Sequence, residues 1–223
     1  MDLSKSYEFF QPEMVKDRIH IVGCGSIGST VAELLARFGI TKYALYDFDV
    51  VEPKNVVNQM FFQDDIGKPK VEAVGDMLKR INPDVDIKYE PEGWHGQTLN
   101  GYVFLCVDSM KVRNEIVKRS MMNPNIIAMY DFRTRLTDAQ HYAADWHNPK
   151  SVKDLKKSMD FTDEEAAAAT PMSACRVTLC VAPTVRQICN WGVANFVNFV
   201  KTGHMKKLIL CDAFGMILET FDM

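Results

Sequence analysis

Residues Arg18 to Lys70 read RIHIVGCGSIGSTVAELLARFGITKYALYDFDVVEPKNVVNQMFFQDDIGKPK, and this stretch decides the fold. The apolar run Ile19 to Val22 has the length and continuity of a buried strand. It runs straight into Gly23-Cys-Gly25-Ser-Ile-Gly28. Behind the glycines, Ile27, Val31, Leu34, Leu35 and Phe38 recur at helical spacing, and Gly39 is placed to stop the helix. A second strand, Tyr43 to Tyr46, ends at Asp47. Strand, glycine turn, helix, strand, acid is the order that sets a phosphate on a helix N-terminus and a carboxylate against a ribose. Gly23 and Gly25 keep side chains away from the phosphate, and Gly28 lets the helix lie close on the strand. Unpaired amides at the helix start, from Ser26 on, supply donors and partial positive charge. A tight strand-to-helix turn accounts for the glycines alone, but not for Asp47. The combination points to nucleotide binding.

Working outward, Glu52 to Gln59 forms a polar loop just beyond strand two, the ligand edge of a doubly wound sheet. Asp64 to Lys70 leads into a helix through Val71, Val74, Met77, Leu78 and Ile81, ended by Asn82-Pro83. Val85 to Tyr89 alternates as a third strand. Tyr102 to Val107 is continuous enough for a central parallel strand, and it ends at Asp108-Ser109, again on the ligand edge. A helix over Lys111 to Met122 follows, then strands over Ile126 to Tyr130 and Gln140 to Trp146. Residues 148–174 turn polar and then alanine-rich, so they are expected to bury little and to form a mobile crossing loop or lid. Within them Thr162-Asp-Glu-Glu165 is a capping box for a short helix over Ala166–Ala169. Pro183 opens a long helix, and Leu208–Cys211 with Met216–Phe221 form a closing hairpin. Residues 1–17 form a leader whose Tyr7, Phe9 and Phe10 are placed to dock on a neighbour. The expectation is one α/β domain over residues 1–223. It is Rossmann-like and doubly wound, with a mostly parallel sheet, helices on both faces and a C-terminal antiparallel hairpin.

Composition narrows the function. Hydrophobic residues make up 47% and charged residues 25%, as in ordinary globular chains, and the formal net charge of −3 gives no general case for nucleic-acid binding. The N-terminal residues lack the apolar core of a signal peptide. Arg186, Gln187, Asn190, Asn195 and Asn198 interrupt the apolar stretch 179–200, which argues for an amphipathic helix and against a membrane span. The six cysteines include no CxxC pair, and Cys24, Cys106 and Cys211 fall in or beside strand patterns. No disulfide framework or zinc site is expected, and a reducing cytosol fits.

Taken together, these segments resemble the ThiF/MoeB/HesA family, relatives of ubiquitin-activating enzymes. Asp47-Phe-Asp49-Val-Val-Glu52 with Asn55 and Asn58-Gln59 resembles that family's D-x-D-x-V-x-x-x-N-L-x-R-Q stretch. Ile66-Gly-Lys-Pro-Lys70 resembles its GxPK motif, and Arg80-Ile-Asn-Pro83 its RINP. Cys106-Val-Asp108-Ser109 with Arg113 resembles C-x-D-N-x-x-x-R, and Cys175 ahead of Ala182-Pro183 resembles the cysteine before G-V-x-A-P. Leu210-Cys-Asp-Ala213 resembles the late Y-D-A strand. The match runs in order from about residue 18 to 223.

The resemblance implies ATP-dependent adenylation of a carboxylate, with ATP and Mg²⁺ as cofactors. Gly23, Gly25, Ser26 and Gly28 would hold phosphate and adenosine, Asp47 the ribose, and Asp49 would lie near the phosphates. Asn55, Asn58, Gln59 and Lys70 would surround the triphosphate. Asp108, with Ser109 beside it, would bind Mg²⁺ through ATP. Cys175 would be the acyl acceptor, a role that not all members need. The implied partner is the C-terminus of a small carrier protein or a peptide, and the implied assembly is a homodimer. Asn58 stands where the family has arginine, and the family's N-terminal arginine has no clear counterpart. Two other readings stand beside this one. An NAD-dependent oxidoreductase fits the glycine turn and Asp47 equally well, but needs neither the EPKNVVNQ loop nor GKPK. A non-catalytic partner subunit would explain the missing arginines.

Overall fold

The computed structural model describes residues 1–168, 171–172 and 179–222. Eight strands form one sheet in the order β3-β2-β1-β4-β5-β6-β7-β8. The first five are mutually parallel: β1 (Ile19–Val22), β2 (Lys42–Tyr46), β3 (Asp86–Glu90), β4 (Gly101–Leu105) and β5 (Ile126–Thr134). All residues of β1 and β4 are buried, as strands covered on both faces must be. The last three, β6 (Asp138–Asp145), β7 (Lys206–Asp212) and β8 (Ile217–Asp222), extend the sheet antiparallel. Strand order reverses between β1 and β4, and the crevice outside such a switch point is where doubly wound sheets take ligands.

Helices cover both faces. On one side lie α1 (Ser26–Arg37), α2 (Lys70–Ile81) and α6 (Ala182–Thr202), sharing a core with the sheet. On the other lie α3 (Met110–Ser120), α4 (Pro149–Lys157) and α5 (Asp163–Ala168). An aromatic stack keys α6 to the sheet: Phe104 lies 4.8 Å from Tyr130, and Phe196 meets Tyr102, Phe104 and Tyr130 edge-on. No helix among the described residues is long and apolar enough to cross a membrane.

One expectation needs correction. The segment 148–174 does not bury little throughout: Ser151, Val152, Leu155 and Met159 of its first half are buried beside Trp146. Asn148 caps α4 through the amides of Lys150 and Ser151, and Val152, Leu155 and Met159 recur on one face. The surrounding lysines mask that stripe when the sequence is averaged. Of the two helices in this segment, α5 has no buried residue, and its capping box closes through Thr162 and Glu165 at 2.8 and 3.2 Å. In the leader, Phe10 alone is buried, edge-on to Phe38 at 5.6 Å, while Tyr7 and Phe9 stay exposed.

Beneath α6 a buried histidine makes stability depend on pH. The orientation of Asn195 is fixed by Lys206, whose carbonyl accepts from Nδ2 at 2.9 Å and whose amide donates to Oδ1 at 2.7 Å. Asn195 Nδ2 lies 3.3 Å from His141 Nε2, so that nitrogen must accept and the ring is neutral. Burial pushes the His141 pKa down to about 4. The folded value lies below the unfolded one, so the unfolded chain takes up the proton first. Stability is intact above about pH 6.5 and falls as the pH drops toward 4, by up to roughly 3 kcal/mol. Denaturant titrations at pH 7 and pH 4.5 should show this loss, and His141→Leu should flatten it whatever its own stability. An unchanged slope in that variant would remove His141 as the cause.

Candidate functional site

The glycine turn is built by close approach. Gly23 has φ +96°, and a Cβ there would meet the Cys106 carbonyl carbon at 2.7 Å; one on Gly28 would lie 1.8 Å from the Gly23 oxygen. The space around Gly25, the N-cap of α1, is open, and no side chain caps that helix. The first turn of α1 therefore offers its amides to an incoming anion.

Asp47, at the end of β2, is tied into this turn. Its Oδ2 accepts from the Cys24 amide at 2.6 Å and its Oδ1 from the Asp49 amide at 2.9 Å. Burial raises its pKa, opposed by those two amides and by the Lys70 charge. Lys70, almost fully buried at the start of α2, donates from Nζ to Asp49 at 2.7 Å. Its own amide donates to the Asp49 carbonyl at 2.9 Å, which fastens α2 to the strand-two loop. Residues Pro53–Val57 form a 3₁₀ turn, not an open loop, closed by Asn55 Oδ1 accepting from the Glu52 amide at 2.8 Å. Asn58 Nδ2 donates to the Cys180 carbonyl at 3.3 Å, and Gln59 Oε1 is buried without a hydrogen bond.

A cleft of about 880 Å³ opens at the carboxyl ends of β1, β4 and β5. Ser26, Asp108 and Ser109 line it. Asp47, Asp49, Asn55, Asn58, Gln59 and Lys70 are not on its wall. Asp47, Asp49 and Lys70 form a cluster joined to the glycine turn through the amide of Cys24, while Asn58 reaches the cleft wall through Cys180. Cys175 lies outside the described residues. Burial pushes the thiols of Cys24, Cys106 and Cys189 up, so none of them is an activated nucleophile. Cys180 is a half-buried thiol on the cleft wall.

Arg113 and Arg133 line the cleft and share the buried Asp131, which does not reach its wall; the sequence reading missed Asp131 and Arg133. Asp131, fully buried on β5, accepts from Arg113 Nη1 and from Arg133 Nε, the latter at 2.7 Å. Arg113 Nη2 also donates to the Val107 carbonyl, one residue before Asp108. Arg133 donates to the Ser158 carbonyl and hydroxyl at 2.7 and 2.9 Å and stacks on Tyr142 at 4.4 Å. One signal was legible: Asp131, Arg133 and Arg135 put charges at alternate positions after an apolar strand, all on one face.

A family model described as the ThiF family matches residues 3–200. The chain belongs to the ThiF family. Its relatives include ubiquitin-like modifier-activating enzyme 5 of Caenorhabditis briggsae, 35% identical over 127 residues, which are 56% of this chain and 28% of that protein. Molybdopterin-synthase adenylyltransferase of Salmonella typhimurium is 32% identical over 120 residues, 50% of this chain and 48% of that protein. The chain thus spans less than half the length of these curated relatives. A crystal structure of E. coli MccB with ATP shares the fold at TM-score 0.73 and 16% identity, over 95% of this chain and 65% of that one.

Proposed function

We propose that this ThiF-family chain is an adenylation domain, read over residues 1–223, that uses ATP to activate a carboxylate as an acyl-adenylate and releases pyrophosphate. The acceptor is the C-terminus of a small ubiquitin-like or sulfur-carrier protein, or a peptide. The observation that carries this reading is the close approach of Gly23 in the glycine turn to the Cys106–Val107 backbone, just ahead of Asp108, across the strand-order reversal, with the Asp47–Asp49–Lys70 cluster tied to that turn. An oxidoreductase has no use for that cluster, and the relatives named above are activating enzymes or adenylyltransferases.

In this reading the open amides of α1 and Gly25 hold the phosphates, and Asp47 holds the ribose while keeping the turn in shape. Lys70 leaves Asp49 to pair with phosphate oxygens, and Asn55, Asn58 and Gln59 close around the triphosphate. The residues fit magnesium: Asp108 presents an exposed carboxylate on the cleft with no hydrogen bond or ion pair among the described residues. When bound, the metal neutralises phosphate charge. The chain itself positions the incoming carboxylate in line with the α-phosphorus and excludes water; little covalent chemistry is asked of it. A homodimer in a reducing cytosol completes the proposal.

Incubation with ATP, Mg²⁺, labelled pyrophosphate and a panel of carrier proteins tests it. Carboxylate-dependent exchange supports it; tighter binding of NAD than of ATP by calorimetry sinks it. Cys175, as acyl acceptor, adds a second expectation. Cys175→Ala should abolish a thiol-labile acyl-enzyme while leaving pyrophosphate exchange within about twofold, because the thiol acts after adenylation. Cys180→Ala is the control, and loss of the acyl-enzyme there instead would reassign the role.

A further inference from the structure

The strand-two loop, the first turns of α1 and the start of α6 are tied to one another by side chains. Asn58 Nδ2 donates to the Cys180 carbonyl, two residues before α6, and the Met60 amide donates to Ser29 Oγ of α1 at 3.1 Å. Arg186, one turn into α6, donates from Nη1 to Thr30 Oγ1, and Thr30 Oγ1 donates to the Ser26 carbonyl at 2.8 Å. Ser26 and Cys180 line the cleft, so this junction borders it. The junction holds polar groups without partners. Gln59 and Gln187, the sequence neighbours of Asn58 and Arg186, each bury Oε1 with no hydrogen bond among the described residues. Arg186 is half-buried, and its guanidinium makes no ion pair among the described residues; the residues outside them carry no acidic side chain. A guanidinium offers five N–H donors in a rigid fork, and Thr30 takes one of them. Holding such a cation partly out of water with no counter-charge is costly for the fold alone. Charge balance points the same way. Asp47, Asp49 and Asp108 set three carboxylates around the glycine turn and the cleft, against the one ammonium of Lys70, which already pairs with Asp49. Asn58 is neutral. A polyphosphate drawn onto the open amides of α1 needs a further cation there.

We infer that Arg186 is a phosphate-binding residue: Thr30 anchors its guanidinium beside the first turn of α1, where it takes the outer phosphates of a nucleoside triphosphate and supplies the positive charge that the strand-two cluster lacks. The amides of Gln59 and Gln187 complete the junction, because an amide presents either its oxygen or its N–H groups to a ligand. The inference rests on the reading of the cleft as an ATP site and adds to it a cation from α6, an element that otherwise serves as core.

Calorimetry on the full chain with two nucleotides tests this. Arg186→Met keeps most of the apolar stem without the charge. It should weaken Mg·ATP binding about tenfold to a hundredfold, the scale of charge-assisted hydrogen bonds to phosphate, and leave AMP binding within about twofold. Arg186→Lys, with the charge but not the fork, should recover part of the loss. Arg186→Gln, which still has a donor for Thr30, gives the same comparison should Arg186→Met fail to fold. A residue that only joins α6 to α1 would change both nucleotides alike or neither. Equal Mg·ATP affinity in wild type and variant, or equal losses for Mg·ATP and AMP, therefore overturns the inference. A selective loss of Mg·ATP binding, in a wild type that shows no carboxylate-dependent pyrophosphate exchange, supports Arg186 while sinking adenylation. If wild type does not bind Mg·ATP at all, the adenylation reading fails and magnesium tripolyphosphate decides the inference. Tripolyphosphate affinity that is the same in wild type and Arg186→Met, or absent from both, overturns it.

Discussion

Asp108→Ala should lower carboxylate-dependent pyrophosphate exchange by at least about 100-fold, the loss expected when a group that offsets charge in the transition state is removed. Asp108 stands at the carboxyl end of β4, next to the β1 strand that carries the glycine turn. Its carboxylate makes no hydrogen bond or ion pair among the described residues, so no described contact depends on it. The variant should therefore unfold at the wild-type denaturant midpoint. Asp108→Asn, equal in size but neutral, should be nearly as impaired, because charge and not volume is at issue. Binding of ATP without metal should change little, whereas binding with Mg²⁺ should weaken. Exchange at the wild-type rate by Asp108→Ala would remove this residue from the site and count heavily against adenylation.

Asp131→Ala should destabilise the fold by about 3–5 kcal/mol, a large part of the roughly 5–15 kcal/mol that holds a domain together. Asp131 is fully buried between two nearly buried arginines and is the only carboxylate paired with Arg113 or Arg133 among the described residues. Removing it leaves two cations in the interior without a counter-charge, and desolvation dominates. Asp131→Asn keeps one acceptor oxygen and should lose less. The damage should also reach the cleft, because Arg113 holds the Val107 carbonyl beside Asp108 and Arg133 holds the base of α5. Denaturant titration of both variants checks this, and a loss below about 1 kcal/mol for Asp131→Ala would show that water or rearrangement replaces the carboxylate.

Much of the fold was legible because its signals are local. The apolar runs at Ile19–Val22 and Tyr102–Leu105 have one reading as central parallel strands. Gly39 stops α1 with φ +84°, and Asn82 ends α2, as their residue types demand. The polar sets at Asp47, Asn55 and Asp108 were visible as acids and amides falling just past strand ends. α4 was not legible, because three buried residues sit among four lysines in a short helix. The Arg113–Asp131–Arg133 cluster was missed for a different reason: its members lie on separate elements, and a charged residue on a strand says nothing of its partner until the sheet is assembled.

The amino-acid order alone determined the strand–turn–helix–strand frame, the edge on which the polar residues fall and the family, since each depends on spacing along the chain. Only the tertiary structure decided which charges meet. Lys70 pairs its ammonium with Asp49, Asp163 crosses to the amide of Met110, and Asp131 sits between two arginines. The reason is physical: backbone geometry fixes periodicity over a few residues, whereas the pairing of buried charges is set by distances between elements that sequence spacing does not encode.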